Sequence, residues 1–205
     1  MAVIRRVRRT RAEQREETRR RLLEAAGGLF LRRGYEATSL EEVAEAAGFT
    51  RGAVYSNFRD KEDLFVAFLA QRMAEEAAEA SAAVRAEPDF AARMRALRER
   101  FIHSHCKDTT LLYAELQLAA ARQPALRRKL RVLYEKHVET FAQIIADVHG
   151  EIPPQFRPVF VAMFATMVGI GLQDAGGHID DAAAEAALAI VFDALAPLVA
   201  PVRTA

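Results

Sequence analysis

Apolar residues recur along this chain at the spacing of α-helices, and the whole pattern predicts an all-helical protein. The first amphipathic stripe consists of Leu22, Ala25, Ala26, Leu29 and Phe30. Gly34 follows the stripe and predicts the end of its helix, because a left-handed C-cap costs glycine nothing. Gly27 and Gly28 lie inside this helix, where each costs about 1 kcal/mol relative to alanine. We therefore expect a neighbouring helix to approach the backbone closely there.

A second, shorter helix begins soon after Gly34. Its start has two alternative capping boxes, Thr38 with Glu41 and Ser39 with Glu42. Its inward residues are predicted to be Val43, Ala44 and Ala47. Gly48 closes the helix, and the next one follows after only two residues.

The third helix is expected to begin at the N-cap Thr50, and Asp60 is expected to cap a fourth. The fourth helix has the inward residues Leu64, Phe65, Phe68 and Leu69. Two short helices joined by a glycine turn form a helix-turn-helix, whose second helix projects its exposed side into the major groove of DNA. Val54 and Phe58 are four apart and face inward. The outward face then consists of Arg51, Ala53, Tyr55, Ser56 and Asn57, and Gly52 lets the backbone approach the duplex.

Charge is distributed unevenly along the chain. Nine arginines and three glutamates fall within residues 1–21, although the whole chain carries a net charge of only +1. A basic segment on a slightly acidic body indicates a polyanionic partner, and a solvated tail is the alternative. Arginines that precede a helix-turn-helix can enter the minor groove or follow phosphates, and Arg9 and Arg11 are the candidates.

The composition narrows the class of protein. The 205 residues are 51% hydrophobic, enough to bury a core in one or two domains. A single cysteine, Cys106, excludes an internal disulfide framework and suits a reducing cytoplasm. The apolar runs at 158–172 and 182–200 are predicted to be buried helices rather than membrane spans, and the N-terminus lacks the apolar core of a secretory signal. We predict a soluble cytoplasmic protein.

The segment GYEATSLEEVAEAAGFTRGAVYSNFRDKEDLF, residues 34–65, resembles the N-terminal domain of the TetR family of bacterial transcriptional regulators. The remaining two-thirds of the chain is similar only in helix pattern. The resemblance implies a homodimer that binds a palindromic operator on double-stranded DNA, and a C-terminal domain whose small-molecule effector releases the DNA. We predict a basic arm at 1–15, a helix-turn-helix domain at 16–62, and an effector-binding and dimerisation domain at 63–205.

The resemblance also assigns roles to individual positions. It implies phosphate contacts for Thr38, Thr50, Tyr55 and Lys61. Arg51 and Ala53 match positions that often reach base edges. Asn57 departs from the histidine that is frequent at its position, and its amide can still donate to a phosphate.

Apolar stripes in the C-terminal region can enclose a cavity, the usual form of a small-molecule site. One stripe consists of Phe90, Met94, Leu97 and Phe101. The candidate effector contacts are Phe101, His105, Tyr113, Gln117, His137, Phe141, Phe164 and Met167. The methionines and phenylalanines predict an adaptable, mostly apolar ligand. Few basic residues fall on the inward stripes, which disfavours a strongly anionic ligand.

The last two predicted helices, at 156–174 and 182–198, are apolar on more than one face and must be covered on two sides. A second copy of the chain is the simplest cover, giving a two-fold four-helix interface. The candidate dimer contacts are Met163, Gly169, Ala187, Val191 and Leu195.

We therefore predict a repressor that a small apolar effector releases from DNA. His103 and Cys106 lie three apart and allow a metal- or redox-responsive regulator of the same fold, but two ligands do not make a metal site. A helical adaptor that binds protein instead of DNA is a further alternative, and activation is as open as repression. The sequence has no phosphate-binding glycine loop, metal cluster or nucleophile elbow, so we predict neither an enzyme nor a cofactor.

Overall fold

The computed structural model describes residues 10–103 and 107–199, and every regular element in these ranges is a helix. The all-α fold class is confirmed. The elements are α1 (Arg11–Arg33), α2 (Leu40–Ala47), α3 (Arg51–Asn57), α4 (Lys61–Arg85), α5 (Phe90–His103), α6 (Lys107–Arg122), α7 (Pro124–His149), α8 (Phe156–Ala175), α9 (Asp181–Leu195) and a 3-10 turn at Ala196–Val199.

The chain divides into two compact units, Met1–Phe68 and Leu69–Ala205. The division falls within α4, several residues after the boundary that we predicted at 62/63. The first two turns of α4 belong to the first unit because Phe65 and Phe68 pack there, each ring against the ring of Phe30.

Helix caps explain where the first helices begin. Thr10 and Glu13 form a capping box, so residues 11–15 of the predicted basic arm are the start of α1. The capping box of α2 is Ser39 with Glu42, which decides between the two alternatives. Asp60 caps α4 as predicted, because its Oδ1 accepts a hydrogen bond from the backbone N–H of Asp63 at 2.6 Å.

The two glycines inside α1 have different surroundings. A Cβ placed on Gly27 would lie 2.5 Å from Cε2 of Phe68, so the predicted close approach by a neighbouring helix is confirmed there. A Cβ on Gly28 would meet only the guanidinium of Arg32, one turn along the same helix. The prediction is therefore wrong for Gly28.

The second unit encloses an apolar core built from α5, α7, α8, α9 and the later turns of α4. α6 packs against α7 and α8. Gly150 ends α7 in the left-handed conformation, with φ 84°. Phe90 was predicted to face this core, but it is exposed at the start of α5, and its ring lies edge-on to the His149 ring with 5.2 Å between the centroids.

The helix α8 is apolar but poorly covered by its own chain. Among the described residues, it is the one helix long and apolar enough to cross a membrane by length and composition alone, and 22% of its apolar window is buried. Val161 and Leu172 are exposed on it, and Ile190 on α9 is 70% exposed. The expectation that these helices are buried is therefore not met within one chain.

Candidate nucleic-acid interface and effector cavity

The helix α3 has one buried and one exposed face. Val54 is completely buried, and Phe58 directly after the helix is almost so. Tyr55 is 46% exposed and the side chain of Arg51 is 63% exposed. The predicted division of α3 into an inward and an outward face is confirmed for these residues.

Arg51 joins two other side chains on this surface. Its Nε forms an ion pair with Oε1 of Glu41 at 2.8 Å, and its Nη2 donates a hydrogen bond to the Tyr55 hydroxyl at 3.1 Å. The hydrogen bond to Tyr55, followed by the charge of Glu41, raises the pKa of Arg51. The sequence indicated Glu41 only as a possible capping residue, because nothing in it shows which arginine lies across from the first turn of α2.

Thr50 and Gly52 lie at the exposed start of α3. Thr50 occupies the N-cap position with extended backbone, but its side chain makes no capping hydrogen bond. A Cβ placed on Gly52 would meet only Oγ1 of Thr50, at 3.7 Å. The fold itself therefore needs neither the Thr50 hydroxyl as a cap nor a glycine at position 52, and both remain available for contact with another molecule.

Ser56 and Asn57 turn back to their own helix. The Ser56 hydroxyl and the Asn57 amide both donate to the carbonyl of Ala53, at 2.9 and 2.8 Å. The Oδ1 atom of Asn57 is buried and has no hydrogen-bond partner among the described residues. The same amide also donates to the Ser56 hydroxyl at 3.3 Å, so a phosphate contact by Asn57 requires it to give up one of these two hydrogen bonds.

Thr38 and Lys61 lie beside α3 in an open hollow, which also includes Glu41, Arg51 and Tyr55. Thr38 is only 2% exposed, and its hydroxyl donates to the Gly34 carbonyl at 3.0 Å, so it secures the turn before α2. Lys61 donates to the Glu36 carbonyl at 3.1 Å, and its Nζ lies 4.3 Å from the Tyr35 ring centroid. The structure thus brings four of the predicted DNA contacts together, with Thr38 set behind the others.

Arginines of α1 donate hydrogen bonds to backbone carbonyls at the ends of α3 and α2. Arg15 donates to the Ser56 carbonyl at 3.3 Å and Arg19 to the Asn57 carbonyl at 3.2 Å. Arg21 donates to the Ala47 carbonyl at 2.9 Å. These carbonyls end α3 and α2 and lack partners within their helices, and a cation there also complements the helix dipole.

The sequence favoured a polyanionic partner for the basic segment, with a solvated tail as the alternative. Three of its arginines instead support the fold, and the four-residue spacing of Arg15 and Arg19 was the signal that they share a face. Arg11 is exposed in the first turn of α1 and remains available. Arg9 lies outside the described residues.

The second unit contains an apolar cavity of about 110 Å³. The predicted effector contacts that line it are Phe101, His137, Phe141, Phe164 and Met167. Met163, which we assigned to the dimer interface, also lines the cavity. Tyr113 and Gln117 are not part of the wall: Gln117 is exposed and donates to the Tyr113 hydroxyl, whose ring packs edge-on against Phe164. His105 lies outside the described residues.

Three polar side chains belong to the cavity wall. His137 is buried, and burial lowers its pKa to about 4. Burial also raises the pKa of Glu76. Arg100 donates from Nη2 to Glu79 at 2.7 Å, while its Nε is buried without a partner. Glu76 and Arg100 could not be predicted from the sequence, because both lie on helices with many exposed charges and no local pattern separates the inward ones.

The other predicted sites are placed as follows. Gly169 is exposed, and a Cβ there would meet nothing within 4 Å. The half-exposed dimer candidates are Ala187, Val191 and Leu195. No cluster of three metal-binding side chains exists among the residues that the structure describes. His103 is exposed with its Nδ1 2.7 Å from the Glu99 carbonyl oxygen, and Cys106 lies outside the described residues.

The N-terminal part of this chain is similar to known bacterial regulators. Residues 22–68 match the family model described as bacterial regulatory proteins, tetR family. The regulator AcrR of Shigella flexneri is 51% identical over 53 residues, 26% of this chain and 25% of AcrR. The repressor BepR of Brucella suis is 51% identical over 59 residues, 29% of this chain and 28% of BepR. These matches span less than a third of the relatives' own length.

Similarity over a longer stretch is weaker. The activator FasR of Mycolicibacterium smegmatis is 26% identical over 154 residues, 75% of this chain and 70% of FasR. The crystal structure of a TetR-family regulator from Rhodococcus sp. superposes with a TM-score of 0.71 at 24% identity, over 88% of this chain and 98% of that one. All three relatives are described as transcriptional regulators, so the prediction of a family of regulators rather than enzymes is confirmed.

Proposed function

The chain belongs to the TetR family of bacterial regulatory proteins, and on that premise we propose that it is a DNA-binding transcriptional repressor. In this proposal a homodimer binds a palindromic operator and a small, mostly apolar effector releases it. DNA binding places the protein in the cytoplasm.

The exposed face of α3 is the observation that carries the proposal. Arg51 and Tyr55 lie outward while Val54 is completely buried. A recognition helix in the major groove needs this arrangement, with donors outside and packing residues inside. Gly52 adds to it, because the fold leaves its Cβ position open and a duplex can approach the backbone closely. In our proposal Arg51 and Ala53 reach base edges.

Phosphate contacts position the helix in the groove. We assign them to Thr50, Tyr55 and Lys61, with Arg11 and Arg9 adding contacts before the helix-turn-helix. Thr50 suits this role because its hydroxyl is not used as a cap. Thr38 supports the hollow from behind, and its buried side chain needs a small movement to reach a phosphate.

Exposed apolar residues on α8 and α9 support the homodimer. They include Val161, Leu172 and Ile190 on these two helices. A second copy that covers them forms a two-fold four-helix interface, with Gly169 allowing close approach and with Ala187, Val191 and Leu195 beside it. Two recognition helices related by a two-fold axis match two half-sites of a palindrome. Met163 is left out of this interface because it lines the cavity.

Effector control uses the cavity and α4. The helix runs from Lys61, in the predicted DNA-binding surface, to residues of the second unit that line the cavity, such as Glu76 and Ala80. A ligand that favours one position of α4 shifts the population between DNA-binding and released states. A coupling free energy of about 1–3 kcal/mol lowers operator affinity about 5- to 150-fold.

We propose repression rather than activation. BepR is described as a repressor and FasR as an activator, so relatives of both kinds exist. In our proposal the bound protein blocks a promoter that overlaps its operator, and release by the effector relieves this repression.

Selection of bound fragments from random double-stranded DNA tests the proposal. We expect enrichment of one palindromic sequence, bound by a dimer, with an affinity that falls steeply as salt increases. Repeating the selection with a panel of apolar compounds identifies those that release the DNA. Failure to enrich any sequence at low salt would contradict the proposal and favour a protein-binding adaptor, whose apolar contacts resist salt.

A further inference from the structure

We propose that the cavity of the second unit binds a compact organic cation, with the carboxylate of Glu76 as its counter-charge and aromatic rings around its apolar groups. This inference names the chemical class of the effector, and so it rests on the proposed function.

Charge pairing beside the cavity leaves one carboxylate in excess. Arg72 pairs with Glu75 at 2.9 Å, and Arg100 pairs with Glu79 at 2.7 Å. The ion pair of Glu76 is much looser, with 4.0 Å between its Oε1 and Nη2 of Arg72. Among the described residues, the charged groups that act on Glu76 are Arg72, Arg100, Glu75 and Glu79. Three carboxylates therefore face two guanidinium groups, and Glu76 is the carboxylate that lines the cavity.

The side chain of Glu76 is 29% exposed and its ion pair with Arg72 is 4.0 Å long, so its charge is only weakly compensated, and a poorly compensated carboxylate in an apolar wall is energetically costly. Burial is the largest influence on Glu76 and raises its pKa, which means that the ionised form lacks solvation there. A cation in the cavity supplies a closer partner than Arg72. A neutral ligand leaves the carboxylate as it is, and an anion adds repulsion.

Aromatic rings form much of the remaining wall. Phe141, Phe160 and Phe164 surround His137, whose ring meets each of theirs edge-on at 4.8 to 5.6 Å between centroids. Ring faces attract a cation that lies within about 6 Å of their centroid, more strongly when water is excluded. His137 does not repel such a ligand near neutral pH, because burial lowers its pKa to about 4.

Arg100 is the feature that could instead attract an anion. Its Nε is buried without a partner, but its charge is already paired with Glu79 and 35% of its side chain is exposed. An anion beside Arg100 would also meet the excess charge of Glu76. The wall therefore favours a cation, and the free Nε–H suits a neutral acceptor elsewhere on the ligand.

The size of the cavity restricts the cation. Its volume of about 110 Å³ is below the roughly 300–1,000 Å³ of typical ligand pockets. Met94, Met163 and Met167 line it, and their unbranched side chains can move to enlarge it slightly. A small quaternary or tertiary amine with one apolar substituent fits these limits.

Three probes that differ in charge test the preference of the cavity for a cation. Phenyltrimethylammonium is the cation, tert-butylbenzene is its neutral isostere, and phenylacetate is an anion of similar size. We expect ligand-observed NMR titrations of the full chain to show the cation binding about tenfold more tightly than its isostere. Equal affinity for the two, or tighter binding of phenylacetate, would overturn the inference.

Substitution at the carboxylate locates the effect. Glu76→Gln keeps the shape of the wall, and we expect it to abolish the preference for the cation while binding of tert-butylbenzene is unchanged. Glu139→Gln removes the same charge from the exposed surface of α7 and should leave the preference intact. Phe164→Leu provides a second variant, and it should weaken binding of the cation more than binding of the isostere. An unchanged preference in a folded Glu76→Gln protein, checked by circular dichroism, overturns the proposal.

Operator binding separates this inference from the proposed function. If the cation binds with the expected dependence on Glu76 but the operator stays bound, the inference is supported and the proposed release is contradicted. If the chain binds its operator but shows no preference for the cation, the inference alone is overturned.

Discussion

Arg51 and Tyr55 are joined across one turn of α3 by a hydrogen bond of 3.1 Å, and the guanidinium lies 5.3 Å from the centroid of the tyrosine ring. Glu41 holds the same guanidinium from the start of α2. All three side chains are largely exposed, and exposed ion pairs contribute little to stability. DNA can therefore take Arg51 away from Glu41 at small cost, while the contact with Tyr55 keeps both side chains extended along the same surface.

Arg51→Ala tests the proposed contact with a base. We expect it to reduce discrimination between the operator and single-base variants about 10- to 100-fold, at the position that Arg51 reads. Affinities for a set of substituted operators, measured at one salt concentration, give the answer. Arg59→Ala is the matched control, since it removes an exposed arginine directly after Phe58. If both variants lose affinity without a change in sequence preference, Arg51 does not contact a base.

Tyr55→Phe tests the proposed contact with a phosphate. The variant keeps the ring but removes the hydroxyl, so it loses one hydrogen bond worth about 0.5–1.5 kcal/mol. Because phosphates are the same in every sequence, we expect operator and unrelated DNA to be bound more weakly by similar factors. A loss confined to the operator would contradict the phosphate role.

Gly52→Ala should separate stability from DNA binding. The added Cβ meets only Oγ1 of Thr50 at 3.7 Å, and φ at this position is not positive, so the helix gains up to about 1 kcal/mol. The same methyl group occupies space that we assign to the duplex. We expect a higher urea midpoint together with weaker operator binding.

Gly27→Ala is the opposite control for that experiment. Its Cβ would lie 2.5 Å from the Phe68 ring, so the variant should be less stable. Unchanged operator affinity in a stabilised Gly52→Ala protein would show that the duplex does not approach the backbone there.

Local rules account for what the sequence predicted correctly. The caps at Ser39 and Asp60 and the inward position of Val54 depend on residues within one or two turns, so spacing alone reveals them. Thr50 shows the limit of this reasoning: it occupies the predicted N-cap position, but its hydroxyl makes no capping bond. Only coordinates distinguish a cap residue from a hydroxyl left free for another partner.

Contacts between distant residues could not be predicted in the same way. Arg19 and Asn57 are 38 residues apart in sequence, and neither helix pattern indicates the other. The inward position of Arg100 depends on its pairing with Glu79, 21 residues away. Met163 was predicted to lie in the dimer interface. Because α8 is apolar on several faces, the composition of this helix does not show which face lines the cavity.

Arg19→Gln tests whether α1 arginines hold the helix-turn-helix together. The variant loses the hydrogen bond to the Asn57 carbonyl and the contact of the guanidinium with the Phe58 ring, at 4.4 Å. We expect the free energy of unfolding to fall by about 1–2 kcal/mol in urea titrations. Arg20→Gln is the control, because Arg20 pairs with Glu17 and Glu24 on the surface of its own helix. Equal stability of the two variants would contradict this structural role of Arg19.

Acid sensitivity of the second unit should depend on His137. Burial lowers the pKa of this side chain from 6.5 to about 4, so the unfolded chain takes up a proton at a higher pH than the folded one. Between these values the unfolded state binds more protons, and stability is therefore lost as pH falls through this window. From about pH 7 to about pH 5 the expected loss is about 2 kcal/mol.

His137→Phe removes the titrating group from the cavity wall but keeps an aromatic ring there. We expect urea titrations of this variant to show a smaller loss of stability between about pH 7 and pH 5 than the unchanged protein shows, by about 2 kcal/mol. Some carboxylates have lowered pKa values, such as Asp147, which accepts a hydrogen bond from Arg85. They change stability only below this pH window, and they do so equally in both proteins. His178→Phe changes an exposed histidine and should retain the full acid sensitivity. The same pH dependence in His137→Phe would show that His137 is not excluded from water in solution, and that the cavity around it is more open than the structure shows.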